Sequence, residues 1–467
     1  MVFNSIDFLI FFIIVFILFY YSRGFNRQVI LLVSSSVFYM WFIPSYILIL
    51  FLTILIDYFA AIRIEDSTKP ATKKLHLLFG IINTCIVLFV FKYYNFFVDN
   101  LNYLGFRSAR HWEIILPIGL SFHVFQSLGY VIEVYKGKIK AERNLLIYSN
   151  FVMMFPQLVA GPIERAENLL PQLRKDNPIT YRDFTVGLSQ FFWGLFKKVA
   201  VADVLSQYVD TIFNSYMHHS GFTFFITMLM FTYQLYCDFS GYSDMAIGVA
   251  RMLGYRFNEN FKLPFFSTSI TELWRKWHIS LSNWLRDYVY FSLGGTKKGK
   301  LIAYRNLFIT MLIGGLWHGA SWNFVIWGLI YGVYLTAEKL LNFTLRSRPG
   351  FIYKAIGYIY VHLLIMFPLI LFRSVTFDQA SYIIHAIFTD FYPSKFNALD
   401  IFILMPAITG WTLMTAFEYF VLRKFSFDDI YEMKSGNLYL NALTIFITVS
   451  VFLQGNINET QFIYFQF

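Results

Sequence analysis

Apolar runs of about 20 residues, joined by short basic loops, divide this chain from end to end, and a helix of that length matches a bilayer's hydrocarbon core of about 30 Å. Such runs lie near residues 4–21, 28–44, 45–62, 75–98, 112–135, 181–201, 222–242, 353–373, 400–422 and 438–454. A longer one runs from Asn306 to Leu335. Hydrophobic residues make up 57% of the chain and charged ones only 14%, against about 25% charged in a soluble domain. The expected fold is therefore all-α: a polytopic membrane helix bundle of about eleven crossings plus short or re-entrant helices. With no linker, low-complexity tract or internal repeat, residues 1–467 read as a single domain.

The net charge of +10 does not point to nucleic acid. The lysines and arginines sit in short loops between apolar runs, where positive charge sets orientation and meets anionic lipid. Arg23 and Arg27, the loop with Arg63, Lys69, Lys73 and Lys74, and the loop with Lys136, Lys138, Lys140 and Arg143 are separated each time by two runs. All three then face one side, the cytoplasm, with the N-terminus outside. The first run has Asp7 before it and Arg23 after it, the reverse of a signal peptide's charge order, and reads as a retained span. Cys85 and Cys237 both lie inside apolar runs, which indicates neither a disulfide framework nor a thiolate metal site.

The regular pattern loosens after Leu145. The stretch NFVMMFPQLVAGPIERAENLLPQL holds three prolines and favours short or re-entrant helices over a clean crossing. The run at 222–242 leads into YCDFSGYSDMAIGVARMLG, where Asp238 and Asp244 stand at a depth that should still be apolar. Such carboxylates face the bundle interior or a cavity, mark the end of the span, or cap the next helix.

The stretch from Ile270 to Ser321 gathers the candidates for chemistry. It holds His278, in TELWRKWHISLSNWLRDYVYFSLGG, and His318, in IGGLWHGASWNF. Laid on one continuous helix, Trp274, Trp277, His278, Leu281, Trp284, Leu285 and Tyr288 share an arc of about 120°, with His278 at its rim beside Ser282. Arg275, Lys276, Asn283, Arg286 and Asp287 take the rest, with Ile279 as the one apolar exception. Asn306–Leu335 as one helix would be about 45 Å long, so a break is expected at Gly314, Gly315 and Gly319. A break at membrane depth is tolerated only where the backbone is buried in protein or faces a watery cavity, which puts His318 at an internal site.

Of the nine histidines, His76, His111, His218, His219 and His385 lie in or beside polar loops and read as solvated. His123 and His362 read as hydrogen-bonded core residues. His278 and His318 differ in having tryptophans, polar groups and irregular backbone around them. A neutral imidazole in a partly desolvated channel suits a general base that takes the proton of a hydroxyl attacking an activated acyl group. One base suffices; the second histidine can hold the carbonyl oxygen, orient the acceptor or relay the proton. Metal ligation is disfavoured: no carboxylate or cysteine stands three or four residues from His318, and there is no HExxH arrangement. DFSGYSD lacks the nucleophile elbow of a serine hydrolase, and GGTKKGK lacks the spacing of a phosphate loop.

Five segments, WRKWHISLSNWLRDYVYFSLGG, GGLWHGASWNFVIWGLIYG, YQLYCDFSGYSDMAIGVARMLGY, LPIGLSFHVFQSLGYVIEVY and FPQLVAGPI, together resemble the membrane-bound O-acyltransferases, specifically the bacterial branch typified by alginate O-acetyltransferase. The resemblance extends from about residue 1 to the terminal FIYFQF. It implies a bundle with a central tunnel, His318 of the WHG motif as the essential histidine, and His278 of WRKWH as its partner across the tunnel. Residues expected to line that tunnel are Trp274, Trp277, Ser282, Asn283, Asp238, Ser240, Trp317, Ser321 and Asn323.

The same resemblance implies a multi-pass protein of the bacterial inner membrane, with no permanently bound cofactor and acetyl-CoA as cytoplasmic donor. An exported or membrane-anchored SGNH-hydrolase-type partner would then modify an envelope polysaccharide, alginate-like exopolysaccharide or peptidoglycan. Basic loops at the inner mouth would attract the donor's phosphates. One branch of the family instead transfers D-alanine to teichoic acids. From a different class, a polysaccharide or small-molecule transporter would use the same broken segments to line a permeation path.

Overall fold

The computed structural model describes residues 1–106, 110–341, 350–393 and 398–433, with 435, 436, 438, 440, 441 and 445 beyond them. Every regular element among the described residues is a helix; none is a strand. The apolar run near 438–454 and the terminal FIYFQF fall largely or wholly outside them. Contacts divide the chain into two compact units, Met1–Leu188 with Ala246–Asn258, and Ser189–Met245 with Glu259–Phe467.

The first unit begins with α1 (Ile6–Tyr21), whose N-terminus is capped by Ser5, its Oγ accepting from Phe8 N–H at 3.1 Å. Phe8, Phe12, Val15 and Phe19 are buried while Ile6, Ile10, Ile13 and Ile17 are exposed. A helix apolar on its outward face as well is adapted to lipid. Then follow α2 (Gly24–Met40), a turn at Pro44, α3 (Ile47–Asp66), α4 (Pro70–Leu88), α5 (Tyr94–Tyr103) and α6 (Leu120–Tyr135). As the prolines foretold, residues 145–173 form only short helices: α7 (Leu145–Met153), α8 (Phe155–Leu158) and α9 (Ala166–Leu173). His123 is a core residue hydrogen-bonded to Thr53 Oγ1 at 2.7 Å, one turn from Ser127, which donates to Asp57 on α3.

Two helices carry the chain across the boundary between units, α10 (Tyr181–Phe196) and α12 (Gly221–Met252), with α11 (Asp203–Asn214) between them. The second unit continues with α13 (Ile270–Trp274), α14 (Ile279–Trp284), α15 (Lys300–His318), α16 (Trp322–Leu340), α17 (Phe351–Arg373), α18 (Phe377–Thr389), α19 (Ala398–Phe417) and α20 (Phe427–Glu432). The amphipathic α18 has no counterpart among the sequence runs. His385, expected in a loop, lies on it and is exposed; His76 likewise lies on α4.

By length and apolarity alone, three described stretches can cross a bilayer: Pro44–Asp66, Pro70–Tyr103 and Phe351–Arg373. The run counted as Ile6–Tyr21 is a shorter apolar helix. Several other sequence runs become helices that are short or carry charge, as α12 does at the buried Asp238 and the half-buried Asp244.

Those two aspartates do not cap a helix, because α12 runs unbroken through both. Gly194 and Gly241 let α10 and α12 touch: a Cβ on Gly194 would lie 2.4 Å from the Gly241 carbonyl. Lysines just past Gly194 then meet α12. Lys198 Nζ reaches Asp238 at 2.8 Å and Asp203 at 2.7 Å, and Lys197 pairs with Asp244, which also accepts from Gln190 Nε2 at 3.1 Å. Carboxylates at this depth are stable because cations come to them.

Of the three glycines expected to break this run, Gly314 and Gly315 stay inside α15, and the break falls after His318, at Gly319. α15 ends there, Gly319 to Ser321 turn the chain, and α16 packs back along α15. The hairpin closes on glycines: a Cβ on Gly315 would lie 2.3 Å from the Phe324 carbonyl, and one on Gly328 would lie 2.5 Å from the Met311 carbonyl. Because this contact places His318 against α16, Gly328→Val is expected to destabilise the detergent-solubilised protein by about 1–3 kcal/mol. Thermal or denaturant unfolding measures it, and an unchanged midpoint would show that the two backbones need not touch.

Candidate acyltransfer site

His318, the last residue of α15, is 6% exposed and boxed by aromatic rings. Trp327 stands edge-on at 4.8 Å, Trp317 at 5.0 Å and Phe372 at 5.5 Å between centroids. Gly319 is required for space: a Cβ there would fall 2.1 Å from the Phe324 ring. The imidazole opens on a small cavity lined otherwise by Leu235, Leu273, Trp274, Trp277, Trp327, Tyr331, Ile365, Leu369 and Phe372. All walls but the histidine are apolar or aromatic, so the space is suited to an acyl chain and poorly suited to bulk water.

The helical arc drawn for residues 274–288 is corrected by the backbone. α13 stops at Trp274, residues 275–277 form turns, and His278 has φ +43° and ψ 55° before α14 begins. A left-handed conformation is uncommon for a residue with a Cβ and persists only when the surroundings enforce it. Here the enforcing contacts are visible. Ser269 Oγ and Glu338 hold the start of α13, the carboxylate accepting from Ile270 N–H at 2.6 Å and Thr271 N–H at 2.8 Å. Glu272 accepts from Thr268 N–H at 3.0 Å and pairs with Lys276 at 3.0 Å. Lys262 N–H donates to the Lys276 carbonyl at 2.9 Å, and Ile279 N–H to the Asn260 carbonyl at 2.8 Å.

The His278 ring is wholly buried, edge-on to Phe239 at 4.6 Å and to Trp317 at 5.8 Å. Trp317 thus touches both histidines, and the two imidazoles lie within electrostatic reach of each other. Only His318 is part of the cavity wall.

The residues expected to line a tunnel separate accordingly. Trp274 and Trp277 form cavity wall; Trp317 lies behind it, against the histidines. Ser282 donates to the Trp277 carbonyl at 3.2 Å, and Asn283 is half-buried on α14, outside the lining. Asp238 belongs to the Lys198 cluster, Ser240 is buried on α12 away from the cavity wall, and Ser321 sits at the N-cap of α16. Asn323 donates to the Ser374 carbonyl at 2.9 Å. Ser282, Asn323 and Asp238 tie the fold around the cavity, whose surface, His318 apart, is aromatic and aliphatic.

Sequence reasoning passed over Trp327 and Tyr331, one turn apart on α16, and Ile365, Leu369 and Phe372 on α17. Their spacing of three and four was legible, but both helices are apolar all round, so spacing alone does not say which face meets the histidine. It also passed over Asn260, in a polar loop. His362, by contrast, is hydrogen-bonded as expected, to Tyr233 OH at 2.7 Å and the Tyr358 carbonyl at 2.7 Å, but half-buried rather than in the core. Among the described residues no three His, Cys, Asp or Glu side chains gather into a metal-holding group.

The membrane-bound O-acyltransferase family matches residues 37–375, which takes in both histidines and every wall of the cavity. The chain belongs to this family. Over 442 residues the acyltransferase is 39% identical to the probable alginate O-acetylase of Pseudomonas syringae pv. tomato, covering 92% of this chain and 83% of the relative. It is 33% identical over 376 residues to the peptidoglycan O-acetyltransferase of Helicobacter pylori, covering 75% and 71%. It is also 29% identical over 239 residues to the teichoic acid D-alanyltransferase of Bacillus subtilis, covering 49% and 60%. The protein is thus a multi-pass membrane O-acyltransferase.

If the aromatic cavity holds the acyl group, filling it should block transfer without unfolding the protein. Leu369→Trp is expected to lower acyl transfer by about tenfold or more at unchanged membrane abundance, checked by activity assay beside immunoblot. Full activity would place the acyl group elsewhere.

Proposed function

We propose that the acyltransferase takes an acetyl group from acetyl-CoA at the cytoplasmic side of the bacterial inner membrane and delivers it outward for O-acetylation of an exported envelope polysaccharide. The observation that carries this reading is His318, the polar group on the wall of an otherwise apolar cavity. Its imidazole takes the proton of the attacking hydroxyl as the new ester C–O bond forms. The C–S bond of the thioester breaks, and the imidazolium returns its proton to the leaving thiolate. Trp274, Trp327 and Tyr331 keep water from competing for the acyl carbon. His278 supports the step through the region of Trp317 that both histidines touch.

Acetyl rather than D-alanyl transfer is favoured by the relatives: the acetylating ones match at higher identity and over more of the chain than the D-alanyltransferase does. Delivery to an exported SGNH-hydrolase-type partner, with the N-terminus outside, completes the proposal.

The decisive experiment incubates purified protein in detergent with labelled acetyl-CoA and the partner, or follows glycan acetylation in cells. His318→Ala is expected to reach the membrane normally and to lower label transfer by about 10²–10⁴-fold. Unchanged transfer would remove His318 from the mechanism. An intact thioester with native protein would point to another donor, with carrier-bound D-alanine the next to try.

A further inference from the structure

Asn260 lies outside the five motifs that carry the family resemblance, yet it is 1% exposed and directed at His278. Its Oδ1 accepts from Ser280 N–H at 3.3 Å and from Ser280 Oγ–H at 2.9 Å, while its Nδ2 donates to Ser243 Oγ at 3.0 Å. The same Oδ1 stands 3.2 Å from Nδ1 of His278. A backbone N–H can only donate, so the carboxamide atom facing Ser280 is the oxygen. That oxygen has no proton to give, so a neutral His278 must carry its proton on Nδ1 and keep the lone pair on Nε2. The ring cannot turn over to escape this: Phe239 and Trp317 stand edge-on to it, and the backbone at 276–280 is tied to Asn260 and Lys262.

We infer that Asn260 is a positioning residue that locks His278 as the Nδ1–H tautomer and thereby makes it a proton acceptor at Nε2. The inference rests on the reading of His278 as the supporting imidazole and narrows it. Of the three parts open to a second histidine, holding the acyl carbonyl oxygen requires a donor at Nε2, which this tautomer lacks. Relaying a proton from behind the cavity wall requires the lone pair that this tautomer supplies. The same device fixes His362 in this chain, where the Tyr358 carbonyl takes Nδ1–H and leaves Nε2 to accept from Tyr233 OH.

The test combines transfer from labelled acetyl-CoA with the ¹⁵N spectrum of histidine-labelled protein, His278→Gln identifying the resonance. The expected spectrum shows His278 protonated at Nδ1 and bare at Nε2; a proton on Nε2 overturns the inference. Asn260→Leu is expected to lower transfer by about tenfold or more, and Asn260→Asp, which keeps an acceptor oxygen, to retain most of it. Added to His278→Gln, Asn260→Leu should lower the residual rate no further. Equal losses in the Leu and Asp variants, or a full additional loss in the His278→Gln background, would make Asn260 a structural residue only. Should the Leu variant fail to accumulate, the spectra of the native and Asp proteins decide. If His278→Gln alone leaves transfer unchanged, the supporting role of His278 fails, and the spectrum still judges the tautomer separately.

Discussion

Interrupting a helix in apolar surroundings leaves amide and carbonyl groups that lipid cannot satisfy, and every feature of the candidate site follows from how this chain meets that constraint. It interrupts itself at 275–278 and again at 319–321. At the first break, Asn260 and Lys262 supply backbone partners for Ile279 and Lys276, and Glu338 takes the leading amides of α13. At the second, Gly319 admits the Phe324 ring and Asn323 ties the start of α16 to Ser374 at the end of α17. The interruptions deliver two imidazoles to positions that a continuous helix could not give them.

Buried charge is managed by the same rule. Asp238 and Asp244 would be untenable on a lipid-facing helix, and both are matched by lysines one residue apart on the chain following α10. Close approach of Gly194 to Gly241 makes the match possible. This cluster rigidifies α12, and α12 in turn presents Phe239 to His278 and Ser243 to Asn260. Ion pairs outside the cavity wall thus help to hold the surroundings of His278 in place.

The aromatic cavity explains why a base is useful here. In an apolar box a neutral imidazole keeps its lone pair, and an acyl group is shielded from water until a hydroxyl arrives. Ser282 and Asn323, which look in the sequence like site polarity, instead donate to the backbone carbonyls of Trp277 and Ser374. Their work is to hold the irregular backbone in place.

The amino-acid sequence by itself determined that this is an all-helical, multi-pass membrane acyltransferase, that Gly319 marks a break, and that His278 and His318 are its outstanding polar groups. Those conclusions rest on local signals: run length, glycine and proline placement, and long motifs around two histidines. Tertiary structure decided the rest. It alone shows that His278 sits in a left-handed turn, that Asp238 answers Lys198, that Trp327, Tyr331, Leu369 and Phe372 face His318, and that Asn260 reaches His278. The physical reason is that a membrane helix is apolar on every side, so hydrophobic periodicity no longer says which face turns inward. Which residue meets which is then set by backbone contacts between segments far apart in the chain, through glycines and a few buried hydrogen bonds.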